Sequence, residues 1–157
     1  METTLIINKL SKLKLSGMTE TLEQRLDTAM KEKWSYSTLL EMLLTDEIEY
    51  RGHKQLMLRL AKSRLDLDKT METFDFSFNN KVPATLVREL SSCAFIEKKQ
   101  NIFILGPSGV GKSHLAQALG HQACRREQDV LFSAPTSCSN GFMPDEAMAL
   151  AIEGLLR

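Results

Sequence analysis

Up to about residue 70 the apolar positions recur with a helical period. In MTETLEQRLDTAMKEKW, Met18, Leu22, Leu26, Ala29 and Met30 follow one another at three- and four-residue steps, with Glu, Gln, Arg and Lys between them. Thr19 stands where an N-cap is expected. KWSYS interrupts the pattern, and Thr38 with Glu41 then has capping-box spacing. LLEMLLTDEIEYRGHKQLMLRLAKSRL predicts one long helix or two. Gly52 is its weak point, because glycine costs about 1 kcal/mol relative to alanine in a helix interior. This half predicts a small helical bundle.

The pattern then changes period. Phe74, Phe76 and Phe78 alternate with polar residues, a strand-like or extended pattern bounded by Asn79, Asn80 and Pro83. ATLVRELSSCAFIEK returns to helical spacing through Leu86, Leu90 and Ala94. NIFIL predicts a strand, a glycine-bracketed loop follows, a helix runs from about Lys112 to Arg126, and DVLFS predicts a second strand. Strand, loop, helix and strand in that order open an α/β parallel sheet.

Composition narrows this little. The 157 residues fit one domain, or one small domain with part of another, and the apolar (43%) and charged (25%) fractions are those of a globular protein. Twenty basic and twenty acidic side chains cancel, so a nucleic-acid contact would need a local patch. Cys93, Cys124 and Cys138 form no CxxC pair and predict free thiols in a reducing cytosol. The apolar run Leu5 to Ile7, followed by Lys9, Lys12 and Lys14, is too short and too charged for a signal peptide or a membrane span. The expectation is a cytoplasmic protein with no membrane partner.

The candidate chemistry lies in GPSGVGKS, residues Gly106, Pro107, Ser108, Gly109, Val110, Gly111, Lys112 and Ser113. It matches G-x-x-x-x-G-K-[ST], with an apolar strand before it and an amphipathic helix after it. The glycines permit backbone angles at which successive N–H groups turn inward and form an anion nest. The helix start adds its positive dipole end. Lys112 places a point charge on the β- and γ-phosphates, and the Ser113 hydroxyl suits Mg²⁺. No N-K-x-D guanine signature occurs, which favours ATP over GTP.

Other candidates carry less. His114 is read as a helix residue packing beside the loop rather than as a catalytic base, and His53 and His121 as surface groups. Arg51, Lys54, Arg59 and Lys62 fall within an arc of about 140° if their segment is one helix. Such a stripe either tracks a phosphate backbone or is a solvated helix face, and the second is the simpler reading. The three phenylalanines either pin a linker to the core or wall an adenine pocket.

LKLSGM (13–18), KTMETFDF (69–76), NIFILGPSGVGKSHLAQALGHQAC (101–124) and VLF (130–132) together resemble the IstB-like ATP-binding proteins, AAA+ helpers of insertion-sequence transposition related to the DnaC-type helicase loaders. The resemblance is collinear over roughly residues 5 to 132. It implies an α/β, predominantly helical chain: a helical N-terminal domain (1–70), a linker and lead-in helix (71–100), the first part of a P-loop AAA+ parallel-sheet domain (101–132) and a tail outside the family pattern (133–157). It also implies ATP and Mg²⁺ as ligands, the transposase of the same element and nonspecific double-stranded DNA as partners, and self-association into a homo-oligomer.

In the family a third strand ending in acidic residues, a sensor and an arginine finger follow. SAPTSCSNGFMPDEAMALAIEGLLR supplies none of them, and its acidic pair, Asp145 and Glu146, follows Pro144 with no apolar strand before it. The expectation is a C-terminally truncated member that cradles ATP without cleaving it. In the family's sheet order NIFIL and DVLF would also lose every neighbour. A non-enzymatic fragment that binds the transposase or full-length siblings through its helical half is the alternative, and a small P-loop kinase a more distant one.

Overall fold

The computed structural model describes residues 2–77, 83–133 and 149–153. Six helices and two strands occur among them: α1 (Glu2–Lys12), α2 (Ser16–Glu32), α3 (Tyr36–Ser63), α4 (Ala84–Ser91), α5 (Ala94–Glu97), α6 (Lys112–Arg125), β1 (Asp129–Ser133) and β2 (Ala149–Glu153). Contacts divide the chain into two compact units, Met1–Gln55 and Leu56–Arg157. Among the described residues no helix is long and apolar enough to cross a membrane.

In the first unit α1, α2 and the first part of α3 share one apolar cluster. Met18, Leu22 and Leu43 are buried together, with Ile7, Leu10, Leu15, Leu26 and Leu39 packed around them. At Gly17 the backbones of α2 and α3 nearly touch: a Cβ there would lie 2.7 Å from the Asp46 carbonyl oxygen and 2.8 Å from the Glu47 Cα. The start of α2 is held by a side chain from α3. The buried Glu47 accepts a hydrogen bond from the Met18 N–H (3.2 Å) and another from Arg51 Nε (2.6 Å). Burial works against the Glu47 charge, but Arg51 and the backbone N–H groups of Met18 and Gly17 outweigh it and hold the carboxyl below its ordinary range. A bidentate pair from Arg25 to Asp46 (2.8 and 2.6 Å) ties the same two helices and lowers the Asp46 carboxyl in the same way.

Two expected caps are corrected. Thr19 lies inside the first turn of α2, where its hydroxyl donates to the Leu15 carbonyl at 2.7 Å, and the Met18 N–H of that turn is taken by Glu47 from α3. The residue that caps α3 is Ser35, whose Oγ accepts from the Thr38 N–H at 3.1 Å, so Thr38 is the N3 residue rather than the cap. Gly52 does not break α3, which runs through it unbroken.

The second unit has its core on α6. Leu115, Ala116, Ala118, Leu119, Ala123 and Cys124 are buried there, and Val87, Cys93, Phe95 and Val130 pack into the same clusters. The expected single helix after Pro83 is two, α4 and α5, separated at Cys93 by a left-handed φ of 57°. The buried residue of α4 is Val87, while Leu86 is exposed. Cys93 and Cys124 are free and buried, and burial pushes both thiols up. Cys138 lies outside the described residues.

The parallel sheet is absent from the described residues, whose only sheet has two strands, β1 and β2. They pair antiparallel with Asp129 opposite Glu153 and Ser133 opposite Ala149, so β1 finds a partner in the tail, where no strand was expected. NIFIL is in no ladder. Ile102 and Ile104 face the core clusters, while Phe103 and Leu105 are 70% and 69% exposed. The alternation is that of a strand, and the neighbours that would make it one are missing. A buried parallel strand needs both edges paired and both faces covered.

Candidate functional site

The loop from Gly106 to Gly111 connects NIFIL to α6, which begins at Lys112. Gly109 (φ 81°) and Gly111 (φ 88°) adopt left-handed backbone angles that turn the chain back on itself. A Cβ at Gly109 would meet nothing within 4 Å, so conformation rather than space requires glycine there. Gly111 is the N-cap of α6 with no side-chain cap, so the first N–H groups of the helix are left for an external acceptor. Lys112 folds back over the loop, its Nζ donating to the carbonyls of Gly106 (2.5 Å) and Pro107 (2.7 Å). Its charge is thereby held inside the curve of the loop. Ser113 is the second residue of α6 and partly buried. Backbone donors, a helix start and one cation converge here, and the donor set fits the phosphates of a nucleotide.

A cavity beside the loop is lined by Phe74, Ile104, Leu105, Val110, Gly111, Lys112 and Leu115. Phe74 packs in the cluster of Val87, Leu115 and Leu119. Its ring stands edge-on to Phe76 (centroids 5.0 Å) and to His114 (5.3 Å). The extended run expected at the phenylalanines is no strand: bends at residues 71–73 lead into Phe74, and a turn follows at Phe76 and Ser77. Phe78 lies outside the described residues. Phe74 is thus a core contact that also lines the cavity beside the loop.

Histidines are placed differently from one another. His53 is exposed, as the sequence suggested. His114 packs beside the loop, its Nε2 lying 3.1 Å from the Thr70 carbonyl and 3.2 Å from the Thr73 hydroxyl. His121, expected at the surface, is 4% exposed, and its Nε2 is 2.9 Å from the Asp66 carbonyl. Gln117, which the sequence did not single out, is 3% exposed and accepts from the Asp66 N–H at 2.8 Å. The available signal was spacing: His114, Gln117, His121 and Arg125 fall within about 80° of one helix face.

The basic stripe is partly consumed by structure. Arg51 is paired with Glu47, and Arg59 lies 3.7 Å from Asp129 of β1. Lys54 is exposed, and Lys62 lines a cavity with Arg59, Asp129, Val130 and Leu131. No cluster of three or more metal-ligating His, Cys, Asp or Glu occurs among the described residues, and Asp145 and Glu146 lie outside them.

Comparison with known proteins agrees with the loop. The family model described as IstB-like ATP binding protein matches residues 8–140. A protein of Mycobacterium tuberculosis named for ATP binding in an insertion sequence is 38% identical over 126 residues, covering 80% of this chain and 50% of that protein. A counterpart named for the insertion sequence IS21 of Pseudomonas aeruginosa is 41% identical over 123 residues (78% and 46%). One from Geobacillus stearothermophilus is 36% identical over 121 residues (77% and 48%). The chain spans about half the length of these relatives.

Proposed function

We propose that this chain, which belongs to the IstB-like ATP-binding protein family, binds ATP with Mg²⁺ through Gly106–Ser113 and acts as a helper of DNA transposition. The observation that carries the ATP reading is the loop itself: two left-handed glycines, an uncapped helix start and the Lys112 ammonium directed into one curve. The N–H groups of the loop and the first turn of α6 orient the phosphates, and Lys112 exchanges its carbonyl partners for phosphate oxygens. Mg²⁺, when bound, offsets phosphate charge, and the Ser113 hydroxyl is the ligand this chain offers it. The proposal is for ATP binding: the loop offers a phosphate cradle, Lys112 one charge and Ser113 one hydroxyl. A transposase of the same element and nonspecific double-stranded DNA are the proposed partners. Of the basic stripe, Lys54 and Lys62 are the exposed candidates for a phosphate-backbone contact, and a solvated helix face is the simpler reading of both.

The test is calorimetric. Lys112→Ala removes a charge-assisted contact worth about 1.5–3 kcal/mol, so ATP affinity should fall roughly ten- to a hundredfold. Equal affinity in wild type and variant would overturn the site.

A second reading, a non-enzymatic interaction fragment, is favoured by one surface. Tyr36, Leu40, Leu44 and Ile48 form an exposed apolar row at four-residue steps on α3, with Tyr36 94% and Ile48 71% exposed. Transposase binding that is unchanged by Lys112→Ala and lost in Leu44→Lys would favour it.

A further inference from the structure

One face of α6 is polar along its whole length, yet it faces protein. His114, Gln117, His121 and Arg125 each reach the same segment, Asp66–Phe74, from the end of α3 toward the glycine loop. Gln117 Oε1 accepts from the Asp66 N–H (2.8 Å), and His121 Nε2 donates to the Asp66 carbonyl (2.9 Å). His114 Nε2 lies 3.1 Å from the Thr70 carbonyl, which can only accept, so this nitrogen carries the hydrogen. The same nitrogen is 3.2 Å from Thr73 Oγ1, which also donates to the Asp68 carbonyl at 2.6 Å. Arg125 closes the row with Glu72 at 2.5 Å and holds that carboxyl down to about 2. A core needs no such row: two of these side chains are almost fully buried, and burying polar groups costs stability unless each is paired.

What the row accomplishes is placement. It fixes Asp66–Thr73 against the helix that starts at Lys112, and the next residue, Phe74, enters the cavity shared with Val110, Gly111 and Leu115. A Cβ added at Gly111 would meet the Phe74 ring at 3.7 Å, so the ring sits directly on the loop's last glycine. His114 and Phe76 stand edge-on to it from either neighbour. The cavity wall is therefore apolar and aromatic where the loop beside it is a phosphate cradle, which is the chemistry of a planar heterocycle attached to phosphate.

We propose that Phe74 is the base-recognising wall of the nucleotide site, and that His114, Gln117, His121 and Arg125 are positioning residues that hold it against the loop. The inference rests on the ATP reading of Gly106–Ser113 and adds the base to it. Contact with an aromatic wall is sequence-tolerant stacking, worth about ten- to a hundredfold in affinity.

Two probes separate base from phosphate: ATP and inorganic tripolyphosphate, each titrated with Mg²⁺ into the full chain. Wild type should bind ATP about ten- to a hundredfold more tightly than tripolyphosphate. Phe74→Leu, which keeps apolar bulk and removes the ring, should bring ATP down toward tripolyphosphate and leave tripolyphosphate affinity unchanged. His114→Ala should shift the ratio in the same direction by less. Lys112→Ala should weaken both ligands. Tripolyphosphate bound as tightly as ATP by wild type, or an unchanged ratio in Phe74→Leu, would overturn the wall while leaving the loop intact. Loss of tripolyphosphate binding in Phe74→Leu would also overturn it, by showing that the ring serves only packing. A wild type that binds neither ligand would overturn the wall and the loop together.

Discussion

Two glycine-centred stretches of this chain, LKLSGM and GPSGVGKS, use glycine for opposite ends. At Gly17 the residue is small because two helices cross there, and the N–H next to it is already taken by Glu47. At Gly109 and Gly111 the residue permits a left-handed turn, and the N–H groups that follow lack a capping side chain. The first site is closed by its own structure, whereas the second is left open to an anion. A glycine motif points to a ligand only when the donors beside it are unspent.

Substitutions should break this contrast in a graded way. The largest effect is expected at Gly17→Ala, where the new methyl would lie 2.7 Å from the Asp46 carbonyl oxygen and Tyr50 Cβ and 2.8 Å from the Glu47 Cα, against the backbone of α3. Overpacking of this kind costs about 1–3 kcal/mol, so denaturant unfolding should show a lower midpoint, with ATP affinity of the folded fraction unchanged. Gly111→Ala should do the reverse. Forcing a Cβ into a left-handed angle costs roughly 1–2 kcal/mol, and the loss should appear in ATP affinity, read by calorimetry, more than in the unfolding of the first unit.

Acid should sharpen the contrast further. Asp46 and Glu47 have carboxyls held below their ordinary range by Arg25 and by Arg51 with backbone N–H groups. A depressed folded value means stability that is present above the unfolded carboxylate range and is lost as pH falls through the folded value. The α2–α3 pair should therefore lose helicity below about pH 4, by circular dichroism, and Glu47→Gln should remove part of that dependence. Glu72 follows the same sign over the window from 4.5 to about 2, with a small effect because it is largely exposed. The smallest change is a gain. Gly52→Ala has open space within 4 Å and lies inside α3, so it should raise the unfolding free energy by up to about 1 kcal/mol, read as a higher denaturant midpoint.

The sequence made the second region more legible than the first. The loop, the start of α6 at Lys112 and the β1 span were readable because each rests on local rules: glycine at special angles, a helical period, an apolar run. The caps at Thr19 and Thr38 were misplaced for a non-local reason in one case, since Glu47 comes from 29 residues away to hold Met18. In the other, Ser35 and Thr38 compete for one role and only geometry chooses between them. NIFIL predicts a strand because it is a short apolar run, but a strand needs partners, and an apolar run does not supply them. The polar row of α6 was missed because its partners are mostly backbone atoms of Asp66 and Thr70, which leave no mark on side-chain pattern.

The central claim is that the N–H groups around Gly109–Ser113 are the ones that take a phosphate, while those at the α2–α3 crossing are already spent. Amide hydrogen exchange with and without Mg²⁺ and ATP measures both regions in one experiment. ATP should slow exchange at residues 108–113 and leave Gly17 and Met18 as they are. Unchanged exchange throughout the loop at saturating ATP, or protection gained at Gly17 and Met18 instead, would contradict the account.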